Sequence, residues 1–173
     1  MPDTHRRTLE AESWLAVVHA YLACQRRYAQ MLEHFGLTIP QFDLLAVLRR
    51  FPDGATPRTI AAEMLVTKGN ITGLVTRLEA QGLIRRRPHE TDGRSFVCEF
   101  TSEGVSLFRQ AGAAAGRFVR EQLAPFSDTD LERTRNQMRD MREHLEALDP
   151  NAIAVPPTPR KRPGLTCTTQ NST

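Results

Sequence analysis

The stretch Thr67-Lys-Gly-Asn-Ile-Thr-Gly-Leu-Val-Thr-Arg-Leu-Glu79 carries two kinds of residue in register. Ile71, Leu74, Val75 and Leu78 recur at i, i+3, i+4 and i+7, which is the apolar stripe of a helix. Away from that stripe lie Lys68, Gly69, Asn70, Thr72, Gly73, Thr76 and Arg77, with Thr67 at the N-cap. An asparagine amide pairs bidentately with adenine, and a lysine reaches guanine or phosphate. A threonine offers its hydroxyl to phosphate or its methyl to thymine. Gly69 and Gly73, one turn apart, let the backbone come close to a groove wall. Arg58, nine residues before Thr67, adds a cation for the phosphate backbone. The chemistry on offer is recognition of a duplex rather than bond making. A solvated helix face has the same composition, so the elements around it must decide.

Other chemistries find no foothold. Cys24, Cys98 and Cys167 are odd in number and far apart, which argues against a disulfide framework. His5, His19, His34, His89 and His144 stand at no metal-ligand spacing with cysteine or with one another. There is no glycine-rich phosphate loop, and no nucleophile–base or paired-carboxylate set on an identifiable scaffold. The expectation is a non-enzyme without a cofactor or metal.

The chain has 173 residues, 40% hydrophobic and 25% charged, which fits one globular domain of ordinary size. It has no apolar run near the roughly 18 residues of a membrane span. The first residues lack a signal peptide's basic start and apolar core, so a soluble, cytoplasmic protein away from the membrane is expected. Net charge is only +3, but it is unevenly placed. Lys68, Arg77, Arg85, Arg86 and Arg87 face only Glu79 between positions 67 and 89, a basic concentration that fits a polyanionic partner.

The elements that must position these residues can be read from period and caps. Residues 9–35 form a long helix with Trp14, Val18, Tyr21, Gln25, Tyr28, Leu32 and Phe35 on one stripe, closed by Gly36. Thr38-Ile-Pro-Gln41 is a capping box that opens a second helix running to about Arg50. Phe51-Pro-Asp-Gly54 is a turn. Thr56-Pro57 opens a short helix whose Ile60, Ala61, Met64 and Leu65 face inward, and Thr67 opens the next, which ends at Gly82. Two short helices joined by a tight turn make a helix-turn-helix over about 56–81.

The period then changes to two. Residues 83–87 and 95–100 read as strands joined by a polar link, a hairpin or wing over about 83–100. Arg94 at its tip suits a narrow minor groove, and Asp92 can shape the tip by bonding its backbone or an arginine. Alternation puts Arg85 and Arg87 on one face and Arg86 on the other, so only part of the arginine run reaches phosphate, and Arg86 is taken as that part. Residues 102–124 return to helix, where Gly112 and Gly116, each about 1 kcal/mol worse than alanine, imply a bend or a close helix contact. Ser127 caps a last helix whose Leu131, Thr134, Met138, Met141, Leu145 and Leu148 form a narrow seam. From Asp149 the prolines crowd, and 149–173 reads as a disordered tail. The fold class is therefore mainly α with a small β-hairpin wing, a winged helix-turn-helix lobe between N- and C-terminal helices.

Three motifs carry a resemblance. Leu37-Thr-Ile-Pro-Gln-Phe-Asp43, Thr67 to Glu79 running into Gly82-Leu-Ile-Arg85, and Asp92-Gly-Arg-Ser95, in that order, resemble the MarR family of bacterial transcriptional regulators over residues 9–148. The resemblance implies a homodimer, paired through the first and the last two helices, that binds a pseudo-palindromic operator in double-stranded DNA and represses until a small effector releases it. Family members that sense peroxide carry a thiol near the start of the first helix, where this chain has Trp14. Small aromatic acids bind other members in the crevice between the dimer helices and the DNA-binding lobe. Trp14, His19, Phe42 and Asp43 are the residues here that such a crevice would use; a half-buried histidine and a surface aspartate are the plainer reading. The competing function is a winged-helix module that binds protein without reading DNA.

Overall fold

The computed structural model describes residues 4–89 and 95–154, and for Lys68 the main chain alone. The elements run α1 (Thr4–Glu33), α2 (Ile39–Leu48), α3 (Pro57–Met64), α4 (Lys68–Ala80), β1 (Ile84–Pro88), β2 (Phe96–Phe100), α5 (Ser102–Leu123), α6 (Asp128–Ala147) and α7 (Pro150–Ile153). Two units meet after Pro125. α1 begins five residues before the expected boundary at 9, and α7 adds a helical turn inside the segment read as tail. The rest of that tail, from 155, lies outside the described residues.

The turn from α1 into α2 follows from three residues. Gly36 sits at φ +65°, where a Cβ would be strained. At the α2 cap, the backbone N–H of Thr38 donates to Oε1 of Gln41 at 2.8 Å. Gln41 is 4% exposed, and its Nε2 donates to Oε1 of Gln81 at 3.1 Å. Gln81 in turn donates to the Gly36 carbonyl at 3.2 Å. One buried amide thus caps α2 and ties its first turn to the end of α4. Among the described residues, no buried side-chain polar atom lacks a partner, as burial requires.

Thr56 caps α3 by accepting from the Thr59 N–H at 3.2 Å, with Pro57 in the first turn. Ile60 and Ala61 are buried as expected, and Met64 is half-buried. Leu65 is not: it ends α3 in the left-handed conformation at φ 55° and stands 92% exposed. The left-handed cap needed to turn the chain into α4 throws this side chain outward. Thr67 occupies the N-cap of α4 by backbone geometry, but its side chain makes no capping bond.

The core sits at the meeting of these helices. Leu32, Leu44, Leu45, Leu48, Ile60, Ile71, Val75, Leu78, Ile84 and Cys98 are at most 2% exposed. Each such aliphatic side chain contributes roughly 1.5–3 kcal/mol by leaving water. The four predicted stripe positions of α4 are all buried.

β1 and β2 pair antiparallel, Ile84 opposite Phe100 and Pro88 opposite Phe96. A third segment joins them: Ala55 and Cys98 exchange both backbone bonds, at 3.0 and 2.8 Å. The approach requires Gly54, at φ +84°, where a Cβ would lie 2.5 Å from Cγ1 of Val97. That close cover buries Val97 as well as Cys98, so β2 does not alternate as the sequence implies.

Thr101 caps α5, accepting from the Gly104 N–H at 3.0 Å and donating to the Gly82 carbonyl at 2.6 Å. Gly104 is the most closely packed of the described glycines, since a Cβ there would fall 1.9 Å from the Leu83 carbonyl oxygen. Gly112 and Gly116, by contrast, make no close helix contact among the described residues; only Arg120 comes near Gly116. In the second unit, Ser127 accepts from the Asp130 N–H at 3.2 Å to start α6, as expected, and α6 buries none of its residues.

Candidate nucleic-acid interface

α4 turns its apolar stripe wholly into the core and leaves its other face in solvent. Gly69, Asn70, Thr72, Thr76 and Arg77 are exposed there, and Gly73 is half-buried. A Cβ on Gly69 would meet nothing within 4 Å, and one on Gly73 would touch only the Arg77 guanidinium at 3.8 Å. Among the described residues nothing crowds α4 at Gly69, and only Arg77 comes near Gly73, a narrow face of the kind a groove admits. Thr67 and Arg58 are exposed at the near ends of α4 and α3. The Lys68 side chain, Asp92 and Arg94 lie outside the described residues.

The arginine run divides as alternation requires. Arg85 and Arg87 both bind Glu99 across the hairpin, Arg85 at 3.0 Å and Arg87 at 2.6 Å. Those bonds, Arg87's first, hold the Glu99 carboxyl below the ordinary glutamate range. Arg86 points to the other side. Its Nε lies 3.0 Å from Oε2 of Glu79, its Nη2 donates to Oγ1 of Thr76 at 2.8 Å, and its guanidinium lies 4.8 Å from the centre of the Phe96 ring. Two of the candidate DNA contacts, Thr76 and Arg86, are thus bonded to each other. Arg77 has no carboxylate partner among the described residues.

The four candidate effector residues are scattered in environment. Trp14 is 65% exposed, and His19 and Asp43 also face solvent. Phe42 is 9% exposed and belongs to the core, its ring edge-on to Tyr28 at 6.2 Å and stacked on Phe108 at 5.3 Å. Burial raises the Asp43 carboxyl above its ordinary value although the residue keeps solvent contact. Burial also raises Tyr28, helped by the charge of Asp43.

A row of rings that the sequence did not reveal runs from α1 to β2: Tyr28, Phe42, Phe108 and Phe100, with Phe118 beside Tyr28. Phe51, Phe100 and Phe108 line an open cleft of about 910 Å³, together with Arg49 and Arg109 and the carboxylate residues Asp53 and Glu99. Among the described residues, neither Arg49 nor Arg109 has an ion-pair partner. Cys24 is half-buried and donates to Oε1 of Gln122 at 3.3 Å. Burial pushes the Cys98 thiol up to about 11, so it stays protonated at neutral pH.

A helix-turn-helix with an attached two-stranded hairpin and an open polar recognition face defines a winged-helix DNA-binding protein. The sequence model of the MarR family matches residues 35–95. The HTH-type transcriptional regulator PecS of Dickeya dadantii is 29% identical over 126 residues, 72% of this chain and 76% of that one. An uncharacterised HTH-type transcriptional regulator of Bacillus cereus is 30% identical over 117 residues, 68% of this chain and 72% of its own. The crystal structure of a MarR family regulator from Silicibacter pomeroyi superposes with a TM-score of 0.68 at 28% identity, covering 83% of this chain and 99% of that one. The chain belongs to the MarR family: it is a DNA-binding transcriptional regulator and not an enzyme. No helix among the described residues is long and apolar enough to cross a membrane.

Proposed function

We propose that the protein is a cytoplasmic repressor that binds a pseudo-palindromic operator as a homodimer and leaves it when a small ligand binds. The observation that carries the reading is the open face of α4, where Asn70, Thr72 and Arg77 stand beside two unobstructed glycines. Asn70 reads adenine in the major groove, with Lys68 beside it on guanine or phosphate. Thr67, Thr72, Arg77 and Arg58 hold phosphates. Arg94 enters the minor groove from the wing, and Asp92 shapes its tip.

Dimerisation is supported by the apolar residues that α1 and α6 leave in water. Trp14, Tyr21 and Leu22 on α1 and Met138, Met141 and Leu145 on α6 are all exposed. Apolar surface of this extent on a soluble chain fits a protein partner, and a two-fold pair gives one recognition helix per half-site. For the effector, the cleft beside Phe100 and Phe108 suits an aromatic acid better than Trp14 and His19 do. It offers rings for the body of the ligand, and Arg49 and Arg109, which have no ion-pair partner among the described residues, for its carboxylate, with Asp53 and Glu99 restricting where that carboxylate can sit.

The test is a mobility shift on DNA upstream of the protein's own gene, at about 50 and 200 mM salt with excess competitor. Binding that survives competitor and weakens steeply with salt is expected, since each neutralised phosphate releases counterions. No retarded band there, and none on a randomised duplex pool, would favour the protein-interaction module instead.

A further inference from the structure

We propose that Arg86 is a positioning residue rather than a phosphate ligand, fixing the β1–β2 hairpin against the C-terminal half of α4 so that helix and wing meet DNA as one body. The inference rests on the DNA-binding reading and assigns a separate role within it. Arg86 joins all three elements through polar contacts: its backbone is in β1, its Nε faces Glu79 and its Nη2 faces Thr76 on α4, and its guanidinium lies against Phe96 of β2. The side chain keeps 32% of its surface exposed and that of Glu79 38%, so the pair is about two-thirds withdrawn from water. A guanidinium spends its donors in a fixed planar fork, and here two of its nitrogens and its ring-facing surface are already engaged.

Charge points the same way. Glu79 is the one carboxylate between positions 67 and 89, and it stands on the helix proposed to enter the groove. Left alone it would repel phosphate; paired with Arg86 it is neutralised, and the positive charge of Arg86 is consumed in doing so. To turn its Nε and Nη2 onto a phosphate, Arg86 would have to release Glu79 and Thr76. The far end of α4 is held as well, by Gln81 on Gln41 and the Gly36 carbonyl. The C-terminal half of α4 is clamped from both sides, while Asn70 at the other end faces solvent.

The experiment compares full-length wild type, Arg86→Met, Arg86→Lys, Glu79→Met and the Arg86→Met/Glu79→Met double variant on one operator fragment over a series of salt concentrations. The proposal expects each single variant to weaken binding by about tenfold, with the double variant no worse than the singles, because they break the same contact. Arg86→Lys should fail to rescue, since a point charge cannot hold both Glu79 and Thr76. The log–log salt slope should match wild type throughout. A slope lower by about 1 for Arg86→Met, rescue by lysine, and tighter binding for Glu79→Met would overturn it and make Arg86 a phosphate contact. If wild type binds no duplex at all, the DNA-binding reading fails, and the strut is judged by thermal unfolding of the same variants. Non-additive losses there uphold the three-element contact, and additive ones refute it.

Discussion

The winged-helix lobe and the long helices at either end of the chain solve the burial problem differently. In the lobe, ten large side chains from α1, α2, α3, α4, β1 and β2 are at most 2% exposed, and Gln41, the one buried polar side chain among the described residues, is bonded at both ends of its amide. α6 buries none of its residues, and α1 holds Trp14, Leu15 and Tyr21 in solvent. The lobe is complete within one chain. α1 and α6 each leave apolar side chains exposed, as helices built to pair with a second copy would. Substitutions in the lobe should therefore read out as folding, and substitutions in the arms as association.

The largest effect should come from Gly104→Val. Its Cβ would collide with the Leu83 carbonyl, which is backbone and cannot step aside. A loss on the order of 4 kcal/mol or more is expected, seen as a lost or much lowered cooperative melt in circular dichroism. A melt like that of wild type would mean that α5 can shift off the lobe, and the contrast between the two regions would weaken. Leu145→Asp should act in the other way. Placing a charge on the α6 seam should leave the lobe's melting behaviour near wild type while light scattering shows a monomer. A folded dimer with the aspartate in place would put the interface elsewhere.

A smaller effect, confined to the hairpin, follows from Glu99. Its folded pKa lies below the ordinary value of about 4.5. Stability from its bonds to Arg87 and Arg85 is therefore complete above about pH 4.5 and is lost as pH falls through the lowered folded value. Hydrogen-exchange protection of β1 and β2 should drop in that acid range in wild type, and a Glu99→Gln variant should lose the pH dependence. The smallest expected change is favourable. Leu65 holds the left-handed conformation while 92% exposed, and asparagine tolerates that backbone better. Leu65→Asn should stabilise by roughly 0.5–1 kcal/mol in urea unfolding; destabilisation would show that Leu65 packs where it now stands free.

Much of this was legible in the sequence because it is local. The Thr38–Gln41 box, the Thr56-Pro57 start, the α4 stripe, the Ser127 cap and the split of Arg85 and Arg87 from Arg86 depend on neighbours within a few residues. What escaped depends on contacts between distant segments. The Ala55–Cys98 bridge that buries both Val97 and Cys98 joins residues far apart in the chain. So does the approach of Gly104 to Leu83, which no composition rule distinguishes from the open Gly112. Leu65 was misplaced because helical periodicity ignores the cap that turns it outward. Arg86 looked like any arginine in a basic run until Glu79, Thr76 and Phe96 were brought around it.

The exposed face of α4 is proposed to read base sequence. Its most direct test is the ratio of operator to nonspecific affinity for wild type and Asn70→Ala at one fixed salt concentration. Loss of a bidentate adenine contact should lower that ratio by about tenfold to a hundredfold, with nonspecific affinity nearly unchanged. An equal ratio for the two proteins would contradict the claim and leave α4 as a solvated helix that holds the backbone without reading it.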